Sequence, residues 1–250
     1  MLRLLALAVP LSLVAGVGSP VAAQTPAPLK PLRTLVYSLQ YTENSRSEES
    51  VSGMASGSGA SPGRATGRAA TERTGSHDDA GTFTANVVAA TQDGGLVIDT
   101  SFAGKDYSQP VIRVAVLKDG RLGVPPNAPL SPAVAHILPL FARGIVADRT
   151  INVGATWVFD APAPAKGTET FKVTAVNGDV ATFSIALHEM IPGPRGFDES
   201  GDAMAVYDTA KQRPNRVDFT IIARHTVGTD QYVATNSRLT ATLVSDTFGT

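Results

Sequence analysis

Residues 170–187, TFKVTAVNGDVATFSIAL, decide the fold class of this 250-residue chain. Apolar side chains alternate with polar ones on both sides of a central turn, first at Phe171 and Val173 and then at Phe183 and Ile185. A period of two is typical of a strand with one buried face. The turn contains Asn177-Gly178, the strongest short signal for a hairpin. The stretch therefore predicts a pair of antiparallel strands.

The same alternation recurs along most of the sequence. Further strands are predicted around residues 34–41, 82–89, 96–102, 111–117, 155–160, 203–207, 217–223 and 238–243. Together with the first hairpin they make about ten strands, joined mostly by short turns, and such a succession predicts a meander.

One segment has a helical period instead. Ser131-Pro132 has the pattern of a helix start, with proline at the first helical position. Apolar residues then recur at helical spacing from Val134 to Phe141, and Pro139 is expected to kink or shorten the helix. We expect this helix to lie against the concave face of the sheet. The predicted fold is mainly β, a curved antiparallel meander (half-barrel or open barrel) packed on one short helix.

The ends of the sequence and one internal segment have a different composition. Residues 1–23 have the pattern of a secretory signal peptide, with a basic start, an apolar run and a small-residue cleavage site. Residues 24–31 are predicted to be an extended leader, followed by a single β-rich domain over 32–250. Within it, residues 44–80 are rich in Ser, Gly, Thr and Arg, so we expect a disordered insertion.

Composition narrows the classes of partner. We expect export to the periplasm or the extracellular space, with no membrane span after signal cleavage. The chain has no cysteine, so neither a lipid attachment point nor a disulfide is available. Its net charge of −1 becomes −2 when Arg3 is removed with the signal, which argues against nucleic acid as a partner. The oligomeric state is left open.

The layout resembles that of a known class of bacterial envelope proteins. The stretches Leu138-Pro139-Leu140-Phe141, Val153-Gly154-Ala155-Thr156-Trp157 and Gly201-Asp202-Ala203, with Tyr207-Asp208 before a proline-containing turn, resemble a pattern of secreted bacterial β-meander proteins. Together with the signal peptide and the single helix, they make the chain similar to LolA/LolB-like proteins. The resemblance implies a curved sheet and covering helix that enclose a site for lipid acyl chains.

Catalytic and metal-binding motifs are incomplete. His188-Glu189 begins like a zinc-binding H-E-x-x-H, but Pro192 stands where the second histidine is needed. Gly59-Ala60-Ser61-Pro62-Gly63 matches the nucleophile pattern G-x-S-x-G, yet it falls in the predicted disordered insertion. Asp198, Glu199 and Asp202 are predicted to form a solvated acidic turn. We predict no catalytic residue, metal or cofactor.

Small side chains on the predicted inner faces leave room either for the helix or for a cavity. We therefore predict a non-enzymatic exported protein that binds an apolar small molecule or an envelope protein, with His225, Trp157, Ile137 and Phe141 lining the site. One alternative is a structural or interaction module that uses a sheet edge or the 44–80 insertion. The other is a hydrolase that uses His225 or His188 with a nearby carboxylate.

Overall fold

The computed structural model describes residues 29–49, 73–147, 149–161, 165–192, 196–226 and 231–248. Within these ranges, eleven strands form one antiparallel sheet and one α-helix lies in the middle of the chain. The predicted signal peptide and most of the predicted leader lie outside the described residues. Among the residues described, no helix has the length and apolar character needed to cross a membrane.

The strands vary in length from two to eighteen residues. In chain order they are β1 Arg33–Glu49, β2 Arg73–Ala90, β3 Leu96–Gly104, β4 Ser108–Val116, β5 Leu122–Gly123, β6 Thr156–Asp160, β7 Lys166–Asn177, β8 Val180–Ile191, β9 Phe197–Asp208, β10 Arg213–Thr226 and β11 Gln231–Asp246. The hairpin predicted first is β7–β8, and Asn177 pairs with Val180 across the turn as expected.

The sheet consists of two meanders joined at a central seam, the pairing of β1 with β11. Its order is β5-β4-β3-β2-β1-β11-β10-β9-β8-β7-β6, so strands that are neighbours in the sheet are also consecutive in the sequence, except at the seam. The outer strands β5 and β6 do not pair with each other, so the sheet stays open. The predicted fold class is thereby confirmed.

The helical segment comprises α1 (Pro132–Ile137) and two 3₁₀ helices, Leu138–Phe141 and Arg143–Ile145. Pro139 has no N–H to continue the α-helical ladder, and the chain tightens into the 3₁₀ form where that proline stands. The segment makes its main sheet contacts with β4 and β10, and Phe141 meets the ring of Tyr37 on β1 at a centroid distance of 5.8 Å. It thus covers the middle of the concave face.

One face of the sheet is buried, because alternate residues of each strand point towards the helical segment. Leu35, Tyr37 and Leu39 on β1 are nearly inaccessible, and they join residues of the helical segment in a single hydrophobic core. Bulges shift the alternation locally. After the bulge between Val173 and Ala175, the side chain of Ala175 is exposed, although the alternation of apolar residues in the sequence predicts that it points inwards.

The predicted insertion is shorter than the composition indicates. Residues 44–49 belong to β1 and residues 73–80 to β2, and they pair with each other from Asn44–Ser76 to Ser47–Arg73. The expectation of disorder is therefore wrong for these residues, because the backbone hydrogen bonds of the ladder hold polar sequences in strand form. Residues 50–72, with the G-x-S-x-G match, lie outside the described residues.

An ion-pair cluster ties together the end of the sheet where β1 begins. The carboxylate of Asp246 on β11 accepts hydrogen bonds from Arg33 on β1, at 2.9 and 2.8 Å, and from Arg213 on β10, at 2.6 Å. The Arg213 side chain also lies 3.7 Å from Asp208 on β9. Burial acts to raise the pKa of Asp246, but the hydrogen bonds from Arg33 and Arg213 outweigh it and hold that pKa well below its ordinary value. Four strands are thereby joined at this end.

Candidate functional site on the concave face

An aromatic cluster covers the concave face of strands β6 to β9. Because strand side chains alternate, five rings point inwards from four neighbouring strands. We call them the aromatic wall: Trp157, Phe159, Phe171, Phe183 and Tyr207. Trp157 stacks on Phe171 at a centroid distance of 5.9 Å, and the other ring contacts measure 5.6 to 6.3 Å. The aromatic wall lies to one side of the main contacts of the helical segment.

A single arginine covers the outer end of the aromatic wall. The guanidinium of Arg149, in the loop after the helical segment, lies 5.0 Å from the ring centroids of both Trp157 and Phe159. It also donates a hydrogen bond to the carbonyl of Gly144. Beneath it, the indole N–H of Trp157 is buried without a hydrogen-bond partner. This end of the wall therefore combines two largely buried aromatic rings with an unused donor.

Three glutamates continue the aromatic wall towards the opposite end of the strands from the Asp246 cluster. They form what we call the carboxyl row: Glu169 on β7, Glu189 on β8 and Glu199 on β9. Glu189 and Glu199 stand directly opposite each other in the β8–β9 ladder, and Glu169 stands opposite Phe159 of the wall. Each of the three is only 4% exposed. Acidic side chains are thus held on the buried face.

Burial changes the acidity of the carboxyl row. It raises the pKa of Glu189 to about 7 and that of Glu199 to about 8, where the charge of Glu189 adds to the effect. Burial also raises the pKa of Glu169 well above its ordinary value. Moving a carboxylate out of water disfavours its charged form, so at neutral pH the row retains protons.

His136 reaches the carboxyl row from α1. Its Nδ1 atom lies 4.0 Å from Oε1 of Glu199, too far for a hydrogen bond, and both atoms are buried without partners. Its ring lies 6.0 Å from that of Phe219 on β10, and burial lowers the pKa of His136 to about 4. The imidazole is therefore neutral at physiological pH.

Three of the four residues predicted to line the site belong to the hydrophobic core. Trp157 is 9% exposed, while Ile137 and Phe141 are nearly inaccessible. His225 is near the end of β10, the fourth strand from β6, with its ring 4.9 Å from that of Phe197. The ligand-lining role of the four residues remains a prediction.

Sequence analysis missed the carboxyl row and His136. Glu199, predicted to be in a solvated acidic turn, is instead buried in a strand, while its neighbour Asp198 is exposed. The alternation along the strands already indicated that these glutamates point inwards. Glu199 is on the same face as Ala203 and Ala205, and Glu189 is on the same face as Ile185. His136 is one position outside the apolar stripe of its helix, so periodicity alone could not place it inside.

One histidine considered for hydrolysis lies beside a carboxylate. His188 is exposed on the convex face, with Nε2 3.5 Å from Oδ1 of Asp198. Among the described residues, neither His188 nor His225 is hydrogen-bonded to a serine hydroxyl, and no three acidic or histidine side chains are grouped as metal ligands.

A separate groove lies where β1, β2, β10 and β11 extend beyond the rest of the sheet. It has a volume of about 670 Å³ and is lined mainly by polar residues, with the exposed side chain of Ile222 at one wall. Asn44, Arg46, Ser76 and Asn236 contribute to it. The ordered parts of the predicted insertion thus build a second concave surface.

Comparison with known proteins does not assign this chain to a family. No protein-family model matches this sequence, and no curated protein is similar to it. The functional argument therefore rests on the geometry of the concave face.

Proposed function

We propose that this protein is an exported, non-enzymatic binding protein that holds a small apolar ligand against the aromatic wall, in the periplasm or outside the cell. The single observation that carries the proposal is the aromatic wall itself. Five rings from four strands line one face of the sheet within the hydrophobic core, at 0% to 9% exposure, and Trp157 is the most accessible of them. Such a surface suits an apolar ligand, because binding sites are mostly apolar with a few polar groups that fix orientation.

Two features at the aromatic wall support ligand entry. Arg149 covers Trp157 from a loop and not from a strand, so its displacement breaks no sheet hydrogen bond. The unpartnered indole N–H of Trp157 offers a donor to a polar atom of the ligand. The resemblance to LolA/LolB-like proteins, which is part of the proposal, implies the same apolar class of ligand.

Trp157 provides a direct test, since it is the only tryptophan in the chain. We expect dodecanol, a neutral apolar probe, to change the emission of Trp157 in a saturable way. The variant Phe171→Ala should weaken this binding, because Phe171 stacks on Trp157. Val158→Ala is the control, since Val158 is 55% exposed and lies next to Trp157 on β6, on the opposite face of the sheet.

Native mass spectrometry of the protein purified from its source provides an independent measurement. A stoichiometric apolar adduct is the expected result. An adduct-free mass together with unchanged Trp157 emission would contradict the proposal.

The groove supports a second candidate function, an interaction module. It is formed by the part of the sheet that β1 and β2 extend, and it exposes Ile222 among polar side chains. Replacing residues 50–72 by a short turn should leave the fold intact and abolish partner capture if the segment contributes to recognition. Unchanged capture of a purified partner by that variant would argue against the role of this segment.

A further inference from the structure

The carboxyl row has acceptors that the protein leaves unused. Both carboxyl oxygens of Glu169 and Oε1 of Glu199 are buried with no hydrogen-bond partner. Among the described residues, no lysine or arginine forms an ion pair with any of the three glutamates. Buried acidic groups are normally paired, because an unpartnered one loses its hydration without compensation.

A second element contributes an unused acceptor at the same place. Neutral His136 is 8% exposed, and its Nδ1 faces Glu199 across 4.0 Å without a partner. With the imidazole proton on Nε2, a nitrogen atom placed about 2.8 Å from both Nδ1 and Oε1 would donate a hydrogen bond to each. Because His136 is on a helix and Glu199 is on a strand, the alternation of side chains along one strand does not by itself produce this arrangement.

The position of the carboxyl row relative to the aromatic wall defines the shape of the occupant. Glu169 stands opposite Phe159 in the ladder and is two residues from Phe171 on the same face. Successive inward residues of a strand lie about 7 Å apart. A ligand whose apolar part lies on the wall therefore brings one end within reach of the row.

Resting on the proposed function, we infer that the ligand is a cationic amphiphile: its alkyl or aryl part packs on the aromatic wall, and its protonated amine is held between Glu199 and His136, with Glu169 nearer the wall. A primary ammonium has three N–H donors and no acceptor, which matches a set of unused acceptors. An anionic head group has no hydrogen to donate to Nδ1 of His136, and it is repelled by any glutamate of the row that ionises. A neutral hydroxyl has one donor and cannot donate to both Nδ1 of His136 and Oε1 of Glu199.

Binding of a cation should release protons from the row. Burial keeps Glu189 and Glu199 partly or wholly protonated at pH 7, since it raises their pKa values to about 7 and about 8. The titratable groups that face Glu199 are Glu189 from β8, His136 from α1, Tyr41 from β1 and His225 from β10, which stands opposite the next inward residue of β9. Burial lowers the pKa of His225 as it does that of His136, so none of these groups is a cation at that pH. An ammonium stabilises the ionised carboxylate, so its arrival lowers the pKa of the glutamate that it contacts.

The test compares three probes with the same tail: dodecylamine, dodecanol and laurate, each below its micellar concentration. Titration calorimetry and Trp157 emission give the affinities, and calorimetry in buffers of different ionisation enthalpy gives the protons released. We expect dodecylamine to bind at least about ten-fold more tightly than dodecanol, because it gains charge-assisted hydrogen bonds. We expect laurate to bind more weakly than dodecanol, and proton release at pH 7 with the amine alone.

The isosteric variant Glu199→Gln keeps the shape of the row and removes one charge. It should reduce the preference for the amine and the proton release while leaving dodecanol affinity unchanged. Asp198→Asn is the matched control, because Asp198 is the adjacent residue of β9 and points to the convex face, where its side chain is 54% exposed. This control should behave as the wild type does.

The outcomes separate the two proposals. Equal affinities for dodecylamine and dodecanol would overturn the inference of a cationic head group and leave the apolar site standing. A preference for the amine that survives in Glu199→Gln and in Glu189→Gln would also overturn it, because the cation would then bind elsewhere. Failure of all three probes to bind would overturn the proposed function itself.

Discussion

At the scale of single residues, the carboxyl row and His136 are the groups whose chemistry departs most from that of the same side chains in water. Their ordinary pKa values are 4.5 for glutamate and 6.5 for histidine, and burial moves both towards the neutral form. Each shift is a difference in proton binding between the folded and unfolded chain, so it makes stability depend on pH.

The signs of the two shifts differ. Glu189 and Glu199 have raised pKa values in the folded protein, so their contribution to stability is present below about pH 4.5 and is lost as the pH rises towards 8. His136 has a lowered pKa, so its contribution is present above about pH 6.5 and is lost as the pH falls towards 4. Above pH 6.5 the effect of the glutamates therefore stands alone.

We predict that the free energy of unfolding falls between pH 6.5 and pH 8.5, with about 2 kcal/mol of the loss due to Glu199. Glu199→Gln should flatten this slope, since glutamine does not ionise. Denaturant unfolding at a series of pH values measures the effect, and Asp198→Asn should keep the wild-type slope. An unchanged slope in Glu199→Gln would show that this carboxyl ionises normally in the folded protein.

At the scale of secondary-structure elements, sequence analysis located ten of the strands but not their full extents. The apolar alternation that reveals Leu35 to Tyr41 ends at Glu43, whereas β1 continues to Glu49 because its ladder with β2 and β11 does not require apolar side chains. The strand β5 was missed because two residues are too few to show an alternation of apolar and polar side chains. Bulges, such as the one beside Ala175, leave no mark in the alternation.

The helical segment was predictable because it has a helix start at Pro132 and a second proline that limits it. Its short length means that it is held by packing and not by intrinsic helix stability. Phe141 is 1% exposed, and its ring meets that of Tyr37. The attachment of the segment to the sheet therefore depends on a few large side chains.

We predict that Phe141→Ala lowers the free energy of unfolding by about 3 to 5 kcal/mol, through lost burial and the cavity left behind. Val153→Ala, at a residue that is 65% exposed, should change it by less than about 0.5 kcal/mol. Denaturant unfolding at one pH compares the two variants. A loss below 1 kcal/mol for Phe141→Ala would mean that the helical segment does not need this ring.

At the scale of the whole molecule, composition and alternation predicted an open antiparallel sheet with one helix, and the structure has this form. The pairing of β1 with β11 was not predictable, because an alternating strand shows which face is buried but not which strand lies beside it. The same limit applies to the Asp246 cluster, whose members Arg33 and Asp246 are separated by 213 residues.

We predict that Asp246→Asn destabilises the protein by about 1.5 to 3 kcal/mol at pH 7, because the buried guanidinium of Arg213 and the half-buried one of Arg33 lose hydrogen bonds to a charged partner. The folded-state pKa of Asp246 is depressed, so its contribution is present above the ordinary value of 3.8 and is lost as the pH falls below it. The variant should therefore resemble the wild type most closely in strong acid. Denaturant unfolding at pH 7 and pH 3 tests both parts.

Asp218→Asn is the matched control for this prediction. Asp218 also accepts two hydrogen bonds from an arginine, Arg216, but both side chains are largely exposed. Exposed ion pairs contribute about 1 kcal/mol or less. Equal losses for the two variants would show that burial does not strengthen the Asp246 cluster.

The central seam also has a kinetic consequence. Strands β1 and β11 are neighbours in the sheet although Arg33 and Asp246 are 213 residues apart, so β1 has an open side until β11 arrives. Contacts of such long range slow folding, because loop-closure entropy is lost before the contacts form. A chain whose β1–β11 pairing forms late stays unfolded for longer, and this delay would suit the export that we propose.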